Sequence, residues 1–576
     1  MHILLVASAY NSLTQRVHAE LRDRGHRVAV ETAGSGGAVR DAVLAHDPEL
    51  VVAPMLKTAI PRDVWSVRTC LIVHPGPPGD RGPSSLDWAI HERATRWGVT
   101  VLQAGEEMDA GDIWATADFP VPAAPPAAKS DLYRGEVADA AVTAVLLAVE
   151  RFAAGGHTPV PQTTLREAVS VRPYFRQELR GISWANDTTG TVVRTLRAAA
   201  SQPGVRDELL GAEWFLHGGH PEYGLRGRPG ELLATRAGAI CRATADGAVW
   251  IPELRPRQGP GMPAGLKLPA TRALALAGTL PRLPEHPAPL LEADGGPHRT
   301  WSDIRYREEG PVGFLSFSFP GGAMSTEHCR RLLEAYRTAC SRPTTVLVLG
   351  GARDFFSNGI HLHVIEASDD PAAESWANIN AMDDLVEAVL TTNDRLVVAA
   401  LGGNAAAGGV MLALAADEVW CRSGAVLNPH YRLMGLYGSE YWTYSLPRRV
   451  GAETAELLTR QAQPVSAASA LRIGLVDRVI DCGPEEFGAE ACGLASRLAP
   501  FPATQSRIAA KKAQSERREA ARPLAAYREE ELARMLRTFR DPHAPYHALR
   551  RAFTRKEQPS RTSPEPRAVA GEPAAC

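Results

Sequence analysis

Apolar runs recur at short intervals through the first 150 residues, at Ile3–Ala7, Val28–Val30, Leu50–Ala53 and Leu71–Val73. Between them lie stretches with helical spacing, Leu13–Arg24 and Gly37–Ala45. Strand and helix in alternation predict a parallel sheet with helices on its faces. Pro120–Pro126 reads as a loop and Asp131–Ala154 as an apolar helix. From about 170 to 290 the pattern shortens to runs such as Gly238–Arg242 and Ala248–Leu254 between Gly/Pro turns, which predicts a small β-rich domain. Pro281–Pro297 holds five prolines and is the best linker candidate. A second α/β pattern follows, with strands at Val312–Phe317, Thr345–Leu349, Arg395–Leu401 and Glu418–Cys421. From 501 onward the chain reads as helical, and the Pro/Ser/Ala-rich tail Glu557–Cys576 as disordered.

These shifts divide the 576 residues into 1–165, 166–285, a linker at 286–302, 303–500, a helical segment at 501–556 and the tail 557–576. The fold class is α/β multidomain: a Rossmann-like domain, a small β-barrel-like domain, then an α/β domain with C-terminal helices. Length agrees, since about 150 residues per domain allows three to four. Composition changes the picture little: 45% hydrophobic, 22% charged and a net charge of −2. Such a balance creates no field that recruits nucleic acid or an anionic membrane. Residues 501–556 are locally basic, with 14 Lys/Arg against six Asp/Glu, and are a candidate oligomer contact. Eight cysteines, with no C-x-x-C among them, argue against a structural metal site or a disulfide framework. No apolar run approaches the ~20 residues of a membrane span, and no signal sequence opens the chain. The expected setting is cytoplasmic.

Chemistry first gathers at His74, directly after the strand Leu71–Val73. Ligands bind at the carboxyl ends of strands in α/β sheets. Gly and Pro fill 75–79, so a tight loop follows. Further on, Gly98–Ile113 reads as a strand and a turn bearing Asp109 and Asp112. An imidazole beside a carboxylate suits general acid–base work. Gly34–Gly37 lacks dinucleotide-binding spacing and is an ordinary loop.

The whole pattern resembles the N10-formyltetrahydrofolate-dependent formyltransferases. By that resemblance His74 is the family histidine, Arg81-Gly82 its Arg-Gly pair and Asp112 its catalytic aspartate. Residues 182–186 (Ile-Ser-Trp-Ala-Asn) and 228–231 (Arg-Pro-Gly-Glu) resemble its small C-terminal barrel. One position departs. Ile72 stands where the family has an oxyanion-stabilising Asn, and an apolar side chain donates nothing to an oxyanion.

A second constellation lies in the other half. Asp354–Leu362 and Leu401–Leu412 are small-residue turns after strands, and two such turns can aim backbone N–H groups at one carbonyl oxygen. Their order and separation resemble the crotonase (enoyl-CoA hydratase/isomerase) family over about 303–485. The resemblance implies oxyanion donors at the N–H groups of Ile360 and Gly408, acting on an acyl-CoA thioester. Family hydratase acids are missing: one falls on Met411, the other near Pro429-His430. In their place the loop Asn428–Tyr444 concentrates Tyr431, Tyr437, Glu440 and Tyr441. Core packing explains such tyrosines as readily as catalysis, whereas a carboxylate there calls for a role.

A formyltransferase module joined to a crotonase module resembles a family of NiFe-hydrogenase maturation factors, over roughly 1–556. Ala9–Arg16, Ala200–Gly204, Gly435–Trp442 and Tyr546–Arg550 carry the likeness. It implies formyl transfer from N10-formyltetrahydrofolate to coenzyme A, then cleavage of formyl-CoA to carbon monoxide and CoA. His74 and Asp112 would serve the first step. The Ile360 and Gly408 amides would serve the second, with Glu440 alone or a Tyr431–Glu440 pair taking the formyl proton and His430 as the alternative base. Candidate ligand contacts are Gln15, Arg81, Arg134, Ser201, Gln202 and Arg550, with no metal. Implied partners are the two small molecules and other NiFe-hydrogenase maturation proteins, without nucleic acid or membrane. Two rivals stand beside this reading: a formyltransferase for an amine with a non-catalytic crotonase domain, and a non-enzymatic maturation scaffold.

Overall fold

The computed structural model describes residues 1–122, 128–165, 169–291, 300–351 and 353–557. Most of the tail expected to be disordered, part of the linker and part of the loop Pro120–Pro126 lie outside these residues.

The first sheet orders its strands as Arg27–Thr32, His2–Ala7, Leu50–Ala53, Cys70–His74, Arg96–Gln103 and Ile113–Pro120. The first four run parallel, as the alternating pattern predicts. The last two are antiparallel, so the sheet is mixed. Their connection, 104–112, contains no helix, and a short turn can only return the chain antiparallel. Full burial of Ile3, Leu5, Leu50, Val52 and Leu71 anchors this core. The helix expected over 131–154 breaks at Gly135 (φ −96°, ψ −100°) into Lys129–Arg134 and Glu136–Ala154. Segment 170–175 still belongs to this unit. Ser170–Val171 pairs with Asp80–Arg81, and the Trp88 indole N–H donates to the Pro173 carbonyl at 2.8 Å.

The β-rich unit has two four-stranded sheets and, among its described residues, helices Thr189–Ala198 and Ala270–Leu276, which the short-strand pattern did not reveal. Pro252 divides the expected strand Ala248–Leu254. Ala248–Ile251 joins one sheet and Glu253–Pro256 the other, because proline has no N–H for the ladder.

In the third unit a six-stranded sheet runs Ile304–Glu309, Val312–Phe317, Val346–Gly350, Leu396–Leu401, Glu418–Arg422 and Arg478–Ile480. After an antiparallel first pair, the strands are parallel. A smaller sheet, Phe355–Ser357, Asn404–Ala406, Val426–Asn428 and Val465–Ser466, holds the loops that build the site. The basic C-terminal segment forms helices Pro502–Ala521, Leu524–Arg540 and Pro545–Arg555. Met535, Phe539 and Tyr546 are buried in the core of the third unit, so the last two helices close its own fold.

The units dock through charge. Asp139 receives both Arg16 of its own unit and, at 2.8 Å, Arg422 of the third. Arg134 donates to Asp354 at 2.8 Å, and Arg353 pairs with Glu136 at 2.5 Å. Asp23 accepts from Ser466 and Ser469.

Candidate active site

His74 ends its strand and is 4% exposed, between two carboxylates. Its Nε2 lies 2.9 Å from Asp80 Oδ2, and its Nδ1 3.5 Å from Asp109 Oδ1. The expectation that Asp112 faces His74 is corrected: Asp112 is exposed, and Asp109 takes the place. The turn explains the exchange. Asp109 adopts a left-handed conformation (φ 57°), its carboxylate accepts the Gly82 N–H at 3.1 Å, and Gln162 donates to the carbonyls of Asp109 and Gly111 at 2.9 and 2.8 Å. Those bonds turn Asp109 inward and leave Asp112 outside. Burial disfavours charge on His74, but the hydrogen bonds and charges of Asp109 and Asp80 outweigh it and raise the imidazole to about 9. Asp80 is held below the usual carboxylate range. Burial opposes this, while His74, Ser85 and Arg172 overcome it. A Cβ at Gly76 would lie 2.5 Å from His74 Nε2 and 2.3 Å from Asp80 Oδ2, so only glycine fits there. Arg81 turns to Gln162 (3.4 Å) and Glu107 (3.5 Å), which places it in the scaffold of this turn. Ile72 is packed in the sheet, where it pairs with Leu102.

A cavity of about 470 Å³ lies among the three units. Gln15, Arg134 and Ser201 line it from the first two, and Ile360, Gly408, His430, Tyr431 and Glu440 from the third. The two amide turns lie side by side: a Cβ at Gly359 would lie 3.2 Å from the Gly408 nitrogen. Glu440 packs over this point, since a Cβ at Gly408 would meet Glu440 Oε1 at 2.3 Å. The Tyr431 hydroxyl donates to Glu440 Oε2 at 2.8 Å and the Ser439 N–H donates to the same oxygen at 3.1 Å, leaving Oε1 toward Gly408. Burial, with the Asp383 charge adding to it, raises the Glu440 carboxyl to about 8. His430 is pushed the other way, its imidazole lowered by burial. Its Nδ1 lies 3.0 Å from the Asn428 carbonyl, which assigns the ring proton to Nδ1. Met411, where a hydratase acid was sought, is fully buried in the core.

Three expected contacts do not line the cavity: Arg81, in the turn described above, Gln202 and Arg550. Gln202 is exposed, although its neighbour Ser201 lines the cavity. Arg550 is buried against Glu366, its Nε 2.8 Å from the carboxylate, because a buried guanidinium requires a partner. Four residues absent from the sequence reading shape the sites: Asp80 beside His74, Gln162 behind Asp109, and Asp383 and Glu531 behind Glu440. Asp80 lies in the loop that follows His74; the other three come from segments distant in sequence, and no local motif marks them.

Together, the folds define a formyltransferase-type unit joined to a crotonase-fold unit. Residues 175–266 match the formyl transferase C-terminal domain and residues 319–560 match enoyl-CoA hydratase/isomerase. The chain belongs to the HoxX/HypX family of hydrogenase maturation factors. It is 47% identical to hydrogenase maturation factor HoxX of Bradyrhizobium diazoefficiens, over 99% of this chain and 97% of that one. It also superposes on the crystal structure of HypX from Aquifex aeolicus in complex with tetrahydrofolic acid, with a TM-score of 0.91 and 42% identity over 97% of this chain and 96% of that one. Methionyl-tRNA formyltransferase of Streptococcus pneumoniae is 26% identical over 32% of this chain and 57% of its own length. Among the described residues no helix is long and apolar enough to cross a membrane.

Proposed function

We propose that this chain makes carbon monoxide for cytoplasmic NiFe-hydrogenase maturation, by formyl transfer from N10-formyltetrahydrofolate to CoA and decarbonylation of formyl-CoA. The observation that carries the reading is the shared cavity, where a raised carboxylate, Glu440, sits against the Gly408 amide beside residues of the formyltransferase half. The tetrahydrofolate complex of the Aquifex relative supports the folate half.

In the first step the CoA sulfur bonds to the formyl carbon and the C–N10 bond breaks. The thiol proton is lost and N10 gains one. Thiolates are strong nucleophiles near neutral pH and need less assistance than amines. His74, protonated up to about pH 9, supplies a positive charge to the oxyanion, the task Ile72 cannot perform, and a proton to N10. Asp109 and Asp80 orient the ring.

In the second step the Ile360 and Gly408 N–H groups hold the formyl oxygen. Glu440 takes the formyl proton, the C–H pair stays on carbon, and the C–S pair leaves with sulfur. Carbon monoxide and CoA thiolate result, and the proton on Glu440 passes to the thiolate. Formyl-CoA has no α-carbon, so the residues that hydrate an enoyl group have no part. The test is incubation with formyltetrahydrofolate and CoA while headspace carbon monoxide is measured. Tetrahydrofolate release without carbon monoxide, or neither product, overturns the reading.

A further inference from the structure

Glu440 and Tyr441 both adopt left-handed backbone conformations, with φ of 59° and 58°. Neither is glycine, and side-chain-bearing residues rarely take this form unless their surroundings impose it. Two buried carboxylates impose it here. Asp383, on helix Pro371–Thr391 and fully buried, accepts the Glu440 N–H at 2.8 Å and the Ser439 hydroxyl at 2.8 Å. Glu531, on helix Leu524–Arg540, accepts the Tyr441 N–H at 2.9 Å and the Thr443 N–H at 2.8 Å. Arg528 stands behind Asp383, its Nε 3.8 Å from Oδ2.

We propose that Asp383 is a positioning residue for decarbonylation: by binding the Ser439 hydroxyl and the Glu440 amide it fixes the left-handed turn that carries the Glu440 carboxylate to the Gly408 amide and Tyr431. The inference rests on the proposed role of Glu440 as base. Asp383 does not line the cavity, so it acts through the turn. Without it the turn relaxes toward ordinary backbone angles and swings Oε1 away from the formyl hydrogen.

The same arrangement has an electrostatic consequence. Glu440 meets the charge of Asp383 from helix Pro371–Thr391, Glu531 from Leu524–Arg540, Cys329 from Thr326–Cys340, and Tyr431 and His430 from its own loop, while Arg528 and Asp384 act on Asp383. Burial is the main cause of the high Glu440 value, and the Asp383 charge is the next. Removing that charge lowers Glu440, which then ionises at lower pH and becomes a weaker base.

Two variants separate position from charge. Asp383→Asn keeps an oxygen acceptor for the turn and deletes the charge. Asp383→Ala deletes both. Supplied formyl-CoA is the substrate, carbon monoxide is read from pH 5.5 to 9.5, and CoA affinity checks that each variant is folded. Asp383→Asn is expected to retain carbon monoxide release within about tenfold while the rising limb moves about one pH unit toward acid. Asp383→Ala is expected to lose about 100-fold or more in kcat with KM little changed. Wild-type kcat in Asp383→Ala overturns the positioning role, and an unmoved limb in Asp383→Asn overturns the effect of its charge on Glu440. Should Asp383→Ala fail to fold, Asp383→Ser, too short to reach the turn, is read in its place by the same criterion. Failure of the underlying reading looks different: the wild-type chain itself then releases no carbon monoxide from formyl-CoA at any pH.

Discussion

His74 Nδ1 lies 3.5 Å from Asp109 Oδ1, while Asp112 points into solvent three residues further on. Asp109→Asn is therefore expected to slow formyl transfer about 100- to 10,000-fold, the usual worth of a positioned acid–base partner. Asp112→Asn is expected to change it less than threefold. Tetrahydrofolate release measures both, and the reverse ranking would return the role to Asp112.

Gly76 tests the same centre by shape. Any Cβ there enters the space between His74 and Asp80. Gly76→Ala should abolish tetrahydrofolate release while supplied formyl-CoA is still decarbonylated, because the residues around Glu440 are untouched. His74→Ala should give the same division. Loss of both activities would show that the two steps do not belong to separate centres.

Glu440 and His430 both line the cavity, and burial moves them in opposite directions as bases. Glu440→Gln keeps shape and hydrogen bonding and should cut carbon monoxide release by about 100-fold or more without weakening CoA binding. His430→Ala should retain at least a tenth of the rate. Since only the ionised carboxylate accepts a proton and its value is raised to about 8, wild-type release should climb with pH and level off above 8. A limb near pH 4 to 5 would remove Glu440 from the role.

Crotonyl-CoA offers a substrate with an enoyl group. It should bind, because the Ile360 and Gly408 turns lie side by side, and gain no water, because Met411 has no proton to give and is sealed in the core. Loss of the enoyl absorbance at a turnover above ~1 per minute would contradict this, against typical kcat values of roughly 1–1,000 per second.

Arg134 lies over the Phe355 ring at 4.5 Å with one nitrogen on Asp354, and it lines the cavity. Arg134→Ala should raise the KM for CoA about tenfold or more, the worth of one charge-assisted hydrogen bond to a phosphate, with kcat for supplied formyl-CoA little affected once saturated. An unchanged KM would leave Arg134 a docking residue only.

Strands were legible because their apolar runs are continuous: Val312–Phe317 appears in the structure with the bounds read from sequence. Direction was less so. The antiparallel pairing of Arg96–Gln103 depends on what the chain does after 74, and apolar pattern carries no sign of it. The helix over 131–154 broke at Gly135, a residue that helical periodicity alone tolerates. At the sites, groups next to a motif were found and groups behind it were not. Tyr431 and Glu440 share one loop and could be read together. Asp383, 57 residues before Glu440, sits on a helix whose pattern is otherwise that of packing. Asp109 and Asp112 differ only in which way a left-handed turn faces, a choice made by Gln162 from a distant segment.

Asp139 joins Arg16 to Arg422, and the guanidinium of Arg422 is almost wholly buried. Separating the halves would strip Arg422 of that carboxylate and expose to water a guanidinium that the interface now keeps dry. Asp354 would likewise lose Arg134, and Arg353 would lose Glu136. The crotonase half on its own thus inherits Arg422 and Asp354 without these mates, while Arg353 keeps Glu485. Expressed from two separate genes, the halves would have to find one another before these charges are matched, whereas a single reading frame supplies them in equal number.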